Sequence, residues 1–515
     1  MNSANSPEAK LGKRTPLSSL AVLIVATFLV RLIFAASLGL GIDESYVVAA
    51  GRRLQLSYFD HPPLAWWLAW AAAHLADSEA AIVVRLPFIA LFALTTGLMY
   101  RLTAALWGAR AGLWAAVVLN LIPVLSVTAG SWVLPDGPLL AALLGAALCL
   151  VMALANAGRG AWGWWLGAGI CAGLALMSKY SAILTLFGAF VFLLSEPGGR
   201  RWLRRPQPWV AALVAVLVFS PVLVWNARHG WISFRFQGAR AAQGFHPLGP
   251  LLTTAGGALY LLPWVWLPLL LCGWHALRRG PRDEGRWLLL CLAAPPIVFF
   301  TVVSLWSRVL FHWAAPGYLM LVPLLGEAIA RRNGHRRWIA ATAALVLFGM
   351  ALVASEVRLD WLPPIGGRDP ALAAVDWTSL RADLAARGLL DRPGLVVAAT
   401  RWLDAGKIDY ALGGRLPVVC LGDDPREYGL IAPVARYAGR DVLIVAPKVA
   451  PAEIAASYGR LFAAIETLAP SSVRHDGRAA LALPLYLGRR LHLPPDGAKE
   501  RFPNRWEHPP SPSSG

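Results

Sequence analysis

Over the first 355 residues, apolar positions run in long blocks and polar positions are pressed into short gaps between them. Blocks of about 20 apolar residues, rising 1.5 Å each, are what a helix needs to cross a bilayer. The pattern predicts about eleven spans, at residues 16–40, 81–106, 111–130, 137–156, 162–177, 181–195, 208–225, 250–275, 287–305, 313–330 and 338–354. One further apolar stretch, 64–76, is too short to cross and suits a helix lying along the interface. The run from Pro16 to Leu40 exceeds the apolar core of a signal peptide and has no obvious cleavage site, so it reads as a retained first span.

After residue 355 the pattern changes. Short β-like runs at Leu395–Thr400, Val418–Leu421 and Val442–Ala446 alternate with helical patterns such as Leu380–Arg387 and Pro451–Gly459. This alternation predicts a small α/β domain. The expected organisation is a polytopic all-α membrane domain over 1–355, a small α/β domain over 356–497 and a disordered tail over 498–515. No repeat of fixed period interrupts this division.

Composition agrees with the membrane reading. Only 15% of residues are charged, against about 25% in soluble domains, and mean hydropathy is +0.55. Many of the 24 tryptophans sit where apolar blocks meet polar gaps, as at Trp66-Trp67, Trp164-Trp165 and Trp264. The net charge of +18 would suggest nucleic acid in a soluble protein. Here the basic residues occupy alternate gaps: Lys10, Lys13 and Arg14, then Arg110, Arg159, Arg200–Arg205, Arg278–Arg286 and Arg331–Arg337. The positive-inside rule explains them, so nucleic-acid binding is set aside. It places the N-terminus in the cytoplasm, and an odd span count then puts the C-terminal domain outside. The five cysteines show neither a disulfide framework nor zinc spacing.

That orientation gathers the chemically capable residues on the outer face. Asp43-Glu44 follows the first span directly, where carboxylates are costly near hydrocarbon unless they serve a purpose; a solvated span end is the plainer reading. Asp136, in Pro135-Asp136-Gly137-Pro138, is the only acid between Glu79 and Glu196. It reads as a turn residue or as a second acid over the same site. Lys179 lies at the outer junction of two spans, where snorkelling competes with function. Arg308 and His312 occupy another outer gap, and the loop 226–249 adds Arg228, Arg235 and Arg240. Cations there suit a lipid-linked phosphate, and a carboxylate suits a general base acting on an acceptor hydroxyl. Group transfer from a phosphorylated lipid follows. Asp404, Asp409, Asp423 and Asp424 of the tail read as solvated surface.

The strings that carry these residues resemble a known family. They are Asp43-Glu44, Tyr58-Phe59-Asp60-His61-Pro62-Pro63-Leu64, Pro135-Asp136-Gly137-Pro138-Leu139, Ser178-Lys179-Tyr180 and His312-Trp313-Ala314-Ala315-Pro316-Gly317-Tyr318-Leu319. Together they resemble the GT-C membrane glycosyltransferases that include protein O-mannosyltransferases, the lipid A aminoarabinose transferase and rhizobial lipopolysaccharide galacturonosyltransferases. The resemblance implies a GT-C fold and a polyprenyl-phosphate sugar donor. It implies inverting transfer to a membrane-anchored glycolipid, glycan or protein acceptor on the periplasmic face of a bacterial inner membrane. By the same resemblance Asp43, with Glu44 beside it, matches the first-loop catalytic acid and Asp136 the second, and His61 stands where related enzymes carry Lys; the outer-face chemistry then assigns Lys179, Arg308 and His312, with His61 and Tyr58, to the lipid phosphate and sugar. No metal ligand is assigned, because no tight ligand spacing such as HExxH occurs; a divalent metal cofactor stays open. The competing classes are a transporter or lipid flippase, which predicts paired mid-span charges and inverted repeats, and a membrane scaffold.

Overall fold

The computed structural model describes residues 16–493, apart from 157, 159, 241–243, 333, 360, 362–373, 448 and 476–477. Lys10, Lys13, Arg14, Arg159 and the stretch 498–515 lie outside the described residues. The chain starts with α1 (Pro16–Ala36), followed by two short helices, α2 (Ile42–Gly51) and α3 (Leu64–Leu75). Next come α4 (Ala81–Trp107), α5 (Ala109–Leu121), a π-helical turn (Val124–Thr128) and α6 (Ala129–Ser131). The sequence continues with α7 (Asp136–Ala155), α8 (Gly160–Ser178), α9 (Ala182–Ser195), α10 (Pro197–Leu203), α11 (Pro206–Arg228) and α12 (Ile232–Ala239). The membrane part closes with α13 (Gly249–Leu261), α14 (Pro263–Arg279), α15 (Glu284–Val303), α16 (Ala315–Ala330) and α17 (Arg336–Leu359).

Among the described residues, seven helices are long and apolar enough to cross a membrane, or ten if each sharply bent pair is one span. The chain is therefore a multi-pass membrane protein. Its expected spans 111–130 and 250–275 are broken rather than straight, by 81° and 111°. Proline explains both breaks, because Pro123 and Pro263 cannot donate the next helical hydrogen bond and restrict the residue before them. Leu262, before Pro263, adopts a positive φ of 69°. Arg31 of α1 secures the first break, donating from Nε to Ser126 O at 2.9 Å and from Nη2 to Asn120 Oδ1 at 2.7 Å. The 105° bend between α9 and α10 is of another kind. Ser195, at the end of α9, accepts from Trp287 near the start of α15 at 2.8 Å, which fixes the bend against α15. The 16-residue α16 is short for a span, but it is buried along nearly its whole length among other helices, so its fit to the bilayer matters less.

The tail forms α18 (Ser379–Ala386), β1 (Val396–Ala399), α19 (Trp402–Leu412), β2 (Val418–Cys420), α20 (Tyr428–Ile431), β3 (Val442–Val445), α21 (Pro451–Tyr458), β4 (Phe462–His475) and β5 (Arg478–Leu491). The sheet order is β2-β1-β3-β5-β4. The first three strands are parallel, and β5 and β4 add antiparallel to them. The three expected strands are present. The long β4–β5 hairpin was not foreseen; Pro470, which has no N–H to give a ladder, falls in a register shift between Leu468 and Ser471.

The tail does not fold apart from the membrane part. Tyr46, Val47, Trp66 and Ala69 of α2 and α3 share one apolar cluster with Leu380, Ile408, Tyr428 and Leu443 of the tail. Gly406 lets α19 approach closely, since a Cβ there would stand 2.8 Å from Tyr46 Cα. Around this seam Arg52 pairs with both Glu79 and Asp409 at 2.7 Å. The buried Lys407 ammonium donates to Leu40 O at 2.6 Å and Val375 O at 2.8 Å. The seam fixes the tail directly over the segment that carries Asp43.

Candidate active site

Asp43 and Glu44 are neighbours in the first turn of α2, so their side chains diverge by about 100° around the helix. Glu44 turns inward and is 3% exposed. Its carboxylate accepts Arg85 Nε at 2.8 Å, Arg85 Nη2 at 2.5 Å, Gly41 N at 2.7 Å and Val133 N at 2.9 Å. Burial alone would raise this carboxyl; the Arg85 guanidinium and the backbone donors overrule it and hold it below its ordinary range. Arg85 spends its remaining N–H groups on Ala35 O, Leu38 O and Gly39 O, at 2.7–2.8 Å. The pair thus ties α1, α2, α4 and the loop before α7 together. Glu44 was expected among the catalytic acids; all four hydrogen bonds that it accepts come from protein donors.

Asp43 turns the other way and is exposed. Among Asp43, Glu44, Asp60 and Asp136, it alone has neither a hydrogen bond nor an ion pair among the described residues. Although water reaches it, the protein crowds around it. That desolvation raises its carboxyl above 3.8; Arg426 opposes the rise, and Asp60 and Glu44 add to it. A carboxylate with a raised pKa and no partner is suited to accept a proton.

The string Tyr58–Leu64 folds as a turn that delivers two side chains to the same face. Asp60 is 2% exposed and accepts Arg426 Nη1 at 2.9 Å and Tyr46 OH at 3.3 Å. His61 sits between Asp60 and the pair formed by Asp136 and Lys179, and its Nδ1 is buried without a partner among the described residues. Burial lowers its imidazole to about 4, with Asp60 opposing and Lys179 assisting, so it is neutral at pH 7. Tyr58 was expected to touch substrate. It is instead fully buried, stacked on Trp66 at 4.7 Å, and belongs to the core beneath the turn.

Asp136 begins α7 and Lys179 follows α8. The Lys179 ammonium lies 3.0 Å from both Asp136 oxygens, which leaves one of its three N–H groups free. His312 joins this pair, its imidazole lowered to about 4 by burial first and by Lys179 second. Next to it, Trp313 carries the Arg240 guanidinium 4.8 Å above its ring. The structure thus brings Asp43, Asp60, His61, Asp136, Lys179 and His312 to one face. Arg308 is exposed and has no ion pair or hydrogen bond with this group among the described residues. Among the described residues no three His, Cys, Asp or Glu side chains come together in a way that could hold a metal ion.

Two residues of the site come from the tail and were not anticipated. Arg426 pairs with Asp60, stacks 3.6 Å over Trp402 and holds a left-handed backbone at φ 47°. Strained backbone of this kind costs roughly 1–3 kcal/mol and persists where surrounding contacts enforce it. Glu427 is fully buried and accepts Phe59 N at 2.8 Å and Gln55 Nε2 at 2.5 Å. With no cation bonded to it, burial pushes its carboxyl up to about 8. Asp60 was legible as part of its string, but nothing near Pro425-Arg426-Glu427-Tyr428 marks the partner 366 residues upstream.

Taken together, the helices and the tail sheet form the GT-C fold of membrane glycosyltransferases. ArnT from Cupriavidus metallidurans superposes over 92% of this chain and 98% of its own, with a TM-score of 0.64 and 16% identity. Its structure bound to undecaprenyl phosphate matches equally, with a TM-score of 0.64 and 15% identity. The Archaeoglobus fulgidus oligosaccharyltransferase matches more distantly, covering 84% of this chain and 69% of its own, with a TM-score of 0.51 and 13% identity. In sequence, the family model of dolichyl-phosphate-mannose-protein mannosyltransferases matches residues 60–225. The lipid A galacturonosyltransferase RgtD of Rhizobium johnstonii is 23% identical over 290 residues, which are 54% of this chain and 58% of that protein. The match therefore spans less than two thirds of this relative's length.

Proposed function

We propose that the chain transfers a sugar from a polyprenyl-phosphate donor to an envelope acceptor at the periplasmic face of a bacterial inner membrane, with inversion at the anomeric carbon. The observation that carries the reading is the contrast among the acids: Asp43 stands unpaired with a raised carboxyl while its neighbours are engaged. Asp43 takes the proton of the acceptor hydroxyl or amine as that group attacks the sugar carbon. The bond from sugar to phosphate breaks, and the polyprenyl phosphate leaves with the electron pair. Lys179 stabilises the departing phosphate with its free N–H. His61 and His312, neutral at pH 7, contribute hydrogen bonds rather than charge. Asp136 orients Lys179, and Glu44 orients the turn that presents Asp43.

The relatives support this reading by what they bind or do: ArnT was crystallised with undecaprenyl phosphate, and RgtD is a lipid A galacturonosyltransferase. Membranes containing this chain, given defined polyprenyl-phosphate sugars, should yield a glycosylated envelope acceptor detectable by mass spectrometry. Asp43→Asn should reduce transfer by about 10²–10⁴-fold with an unchanged melting temperature. Its wild-type acid limb in kcat/KM should lie above the ordinary carboxylate value of 3.8. Full activity of Asp43→Asn would sink the assignment.

A further inference from the structure

A second basic feature lies where the tail docks on α2, away from the Lys179 cluster. Helix α19 ends on Gly413 and Gly414, both in the left-handed region at φ 63° and 71°. Without side chains, this turn admits two guanidinium groups. A Cβ on Gly413 would stand 2.9 Å from Arg381 Nη1, and one on Gly414 would stand 3.4 Å from Arg52 Nη1. Arg415 follows and is exposed. A cavity of about 420 Å³ is lined by Arg52, Arg53, Arg415 and Tyr428. An open hollow of about 690 Å³ is lined by Arg381, Ser379 and again Arg415. Arg415 is common to both linings, the shared wall of a two-part groove.

The groove carries surplus positive charge. Its four guanidinium groups meet two carboxylates, Glu79 and Asp409, and both are bonded to Arg52. Arg53 donates from Nη1 only to a backbone oxygen, Ile431 O, at 2.6 Å. Among the described residues Arg381 and Arg415 form no ion pair. Leu54 and Leu56, one and three residues beyond Arg53 in the chain, are 47% and 41% exposed. The guanidinium forks of Arg381 and Arg415, without carboxylate partners among the described residues, suit a ligand that carries oxyanions, and the exposed leucines that follow Arg53 suit an apolar tail on it.

We infer that this groove docks the phosphate or carboxylate groups of a membrane-anchored anionic glycolipid, the acceptor of the proposed transfer. The inference rests on that transfer reading and assigns the acceptor a station separate from the donor phosphate at Lys179. The test uses the full chain in nanodiscs of neutral phosphatidylcholine. Phosphorylated lipid A and the same lipid stripped of its phosphates are the probes. The wild type should bind the phosphorylated form about tenfold more tightly, and Arg381→Ser/Arg415→Ser should lose that preference. Both substituted residues line the groove rather than the core, so the melting temperature should hold, and undecaprenyl phosphate should bind the variant as it binds the wild type. An unchanged preference in the double variant overturns the inference. So does equal displacement of the probe by added phosphatidylglycerol, which would make the groove a reader of bulk lipid. Failure of the wild type to bind undecaprenyl phosphate would instead sink the donor reading, so the two failures are distinguishable.

Discussion

Arg85–Glu44 and Lys179–Asp136 both join helix ends on the same face of the membrane helices, yet they differ in what they leave free. The first pair is 1% and 4% exposed at its side chains, and every N–H of Arg85 has a partner. The second is 11% and 12% exposed, and its ammonium keeps one donor unspent next to two neutral histidines. A closed pair can only hold geometry. An open pair can hold geometry and still receive a charged ligand. The same division separates Glu44 from Asp43, one residue apart, and it explains why charge alone is a poor guide to which acid does chemistry.

The largest effect should come from breaking the closed pair. Glu44→Gln leaves the Arg85 guanidinium buried without its counter-ion, and removing one partner of such a pair costs about 3–5 kcal/mol. Thermal unfolding in detergent should show a large drop in melting temperature, with activity falling in proportion to the folded fraction. If Glu44→Gln were as stable as wild type but inactive, Glu44 would be a catalytic group and the division would fail. Asp43→Asn should give the opposite signature, loss of turnover in a protein of normal stability.

The open pair should divide its effect differently. Lys179→Met should lower kcat by about 10²-fold, the scale for losing one donor to a developing anion. It should leave a smaller stability deficit than Glu44→Gln, because water can reach Asp136. Lys179→Met combined with Asp136→Asn removes the stranded carboxylate as well. That double variant should recover stability while staying slow, measured by thermal unfolding and steady-state transfer on the same preparation. Recovery of kcat along with stability would reduce Lys179 to architecture.

These contrasts were only partly legible in the sequence. The spans were, because twenty consecutive apolar residues have few other uses; so were β1, β2 and β3, whose Val-rich runs sit between turn residues. The short helix α3 was legible from its length and its tryptophans. Helix α2 was not, since ten residues starting with two acids look like a loop. The face that gathers Asp43, Asp136, Lys179 and His312 could be inferred from alternating basic loops, which report on topology. Which acid was closed could not, because Arg85 lies 41 residues beyond Glu44 within an apolar run. Arg426 was out of reach for the same reason on a longer scale: ion pairing between distant positions leaves no local pattern.

The last effect concerns Glu427, another buried carboxylate, which accepts two hydrogen bonds but has no cation bonded to it. Burial raises its pKa in the folded state from 4.5 to about 8. The folded protein then binds this proton more tightly than the unfolded chain between those values, so this group's contribution to stability falls as pH rises from 4.5 through about 8. Glutamine reproduces the shape of the protonated acid and cannot ionise. Glu427→Gln should therefore gain on wild type steadily as pH rises above 4.5, by about 2–3 kcal/mol more at pH 9 than at pH 6, read as a melting-temperature difference that widens between those two pH values. Equal melting temperatures at both pH values would mean that the Phe59 amide and Gln55 suffice to keep Glu427 ionised in the fold. The distinction between Glu44 and Glu427 would then rest on their donors rather than on the presence of Arg85.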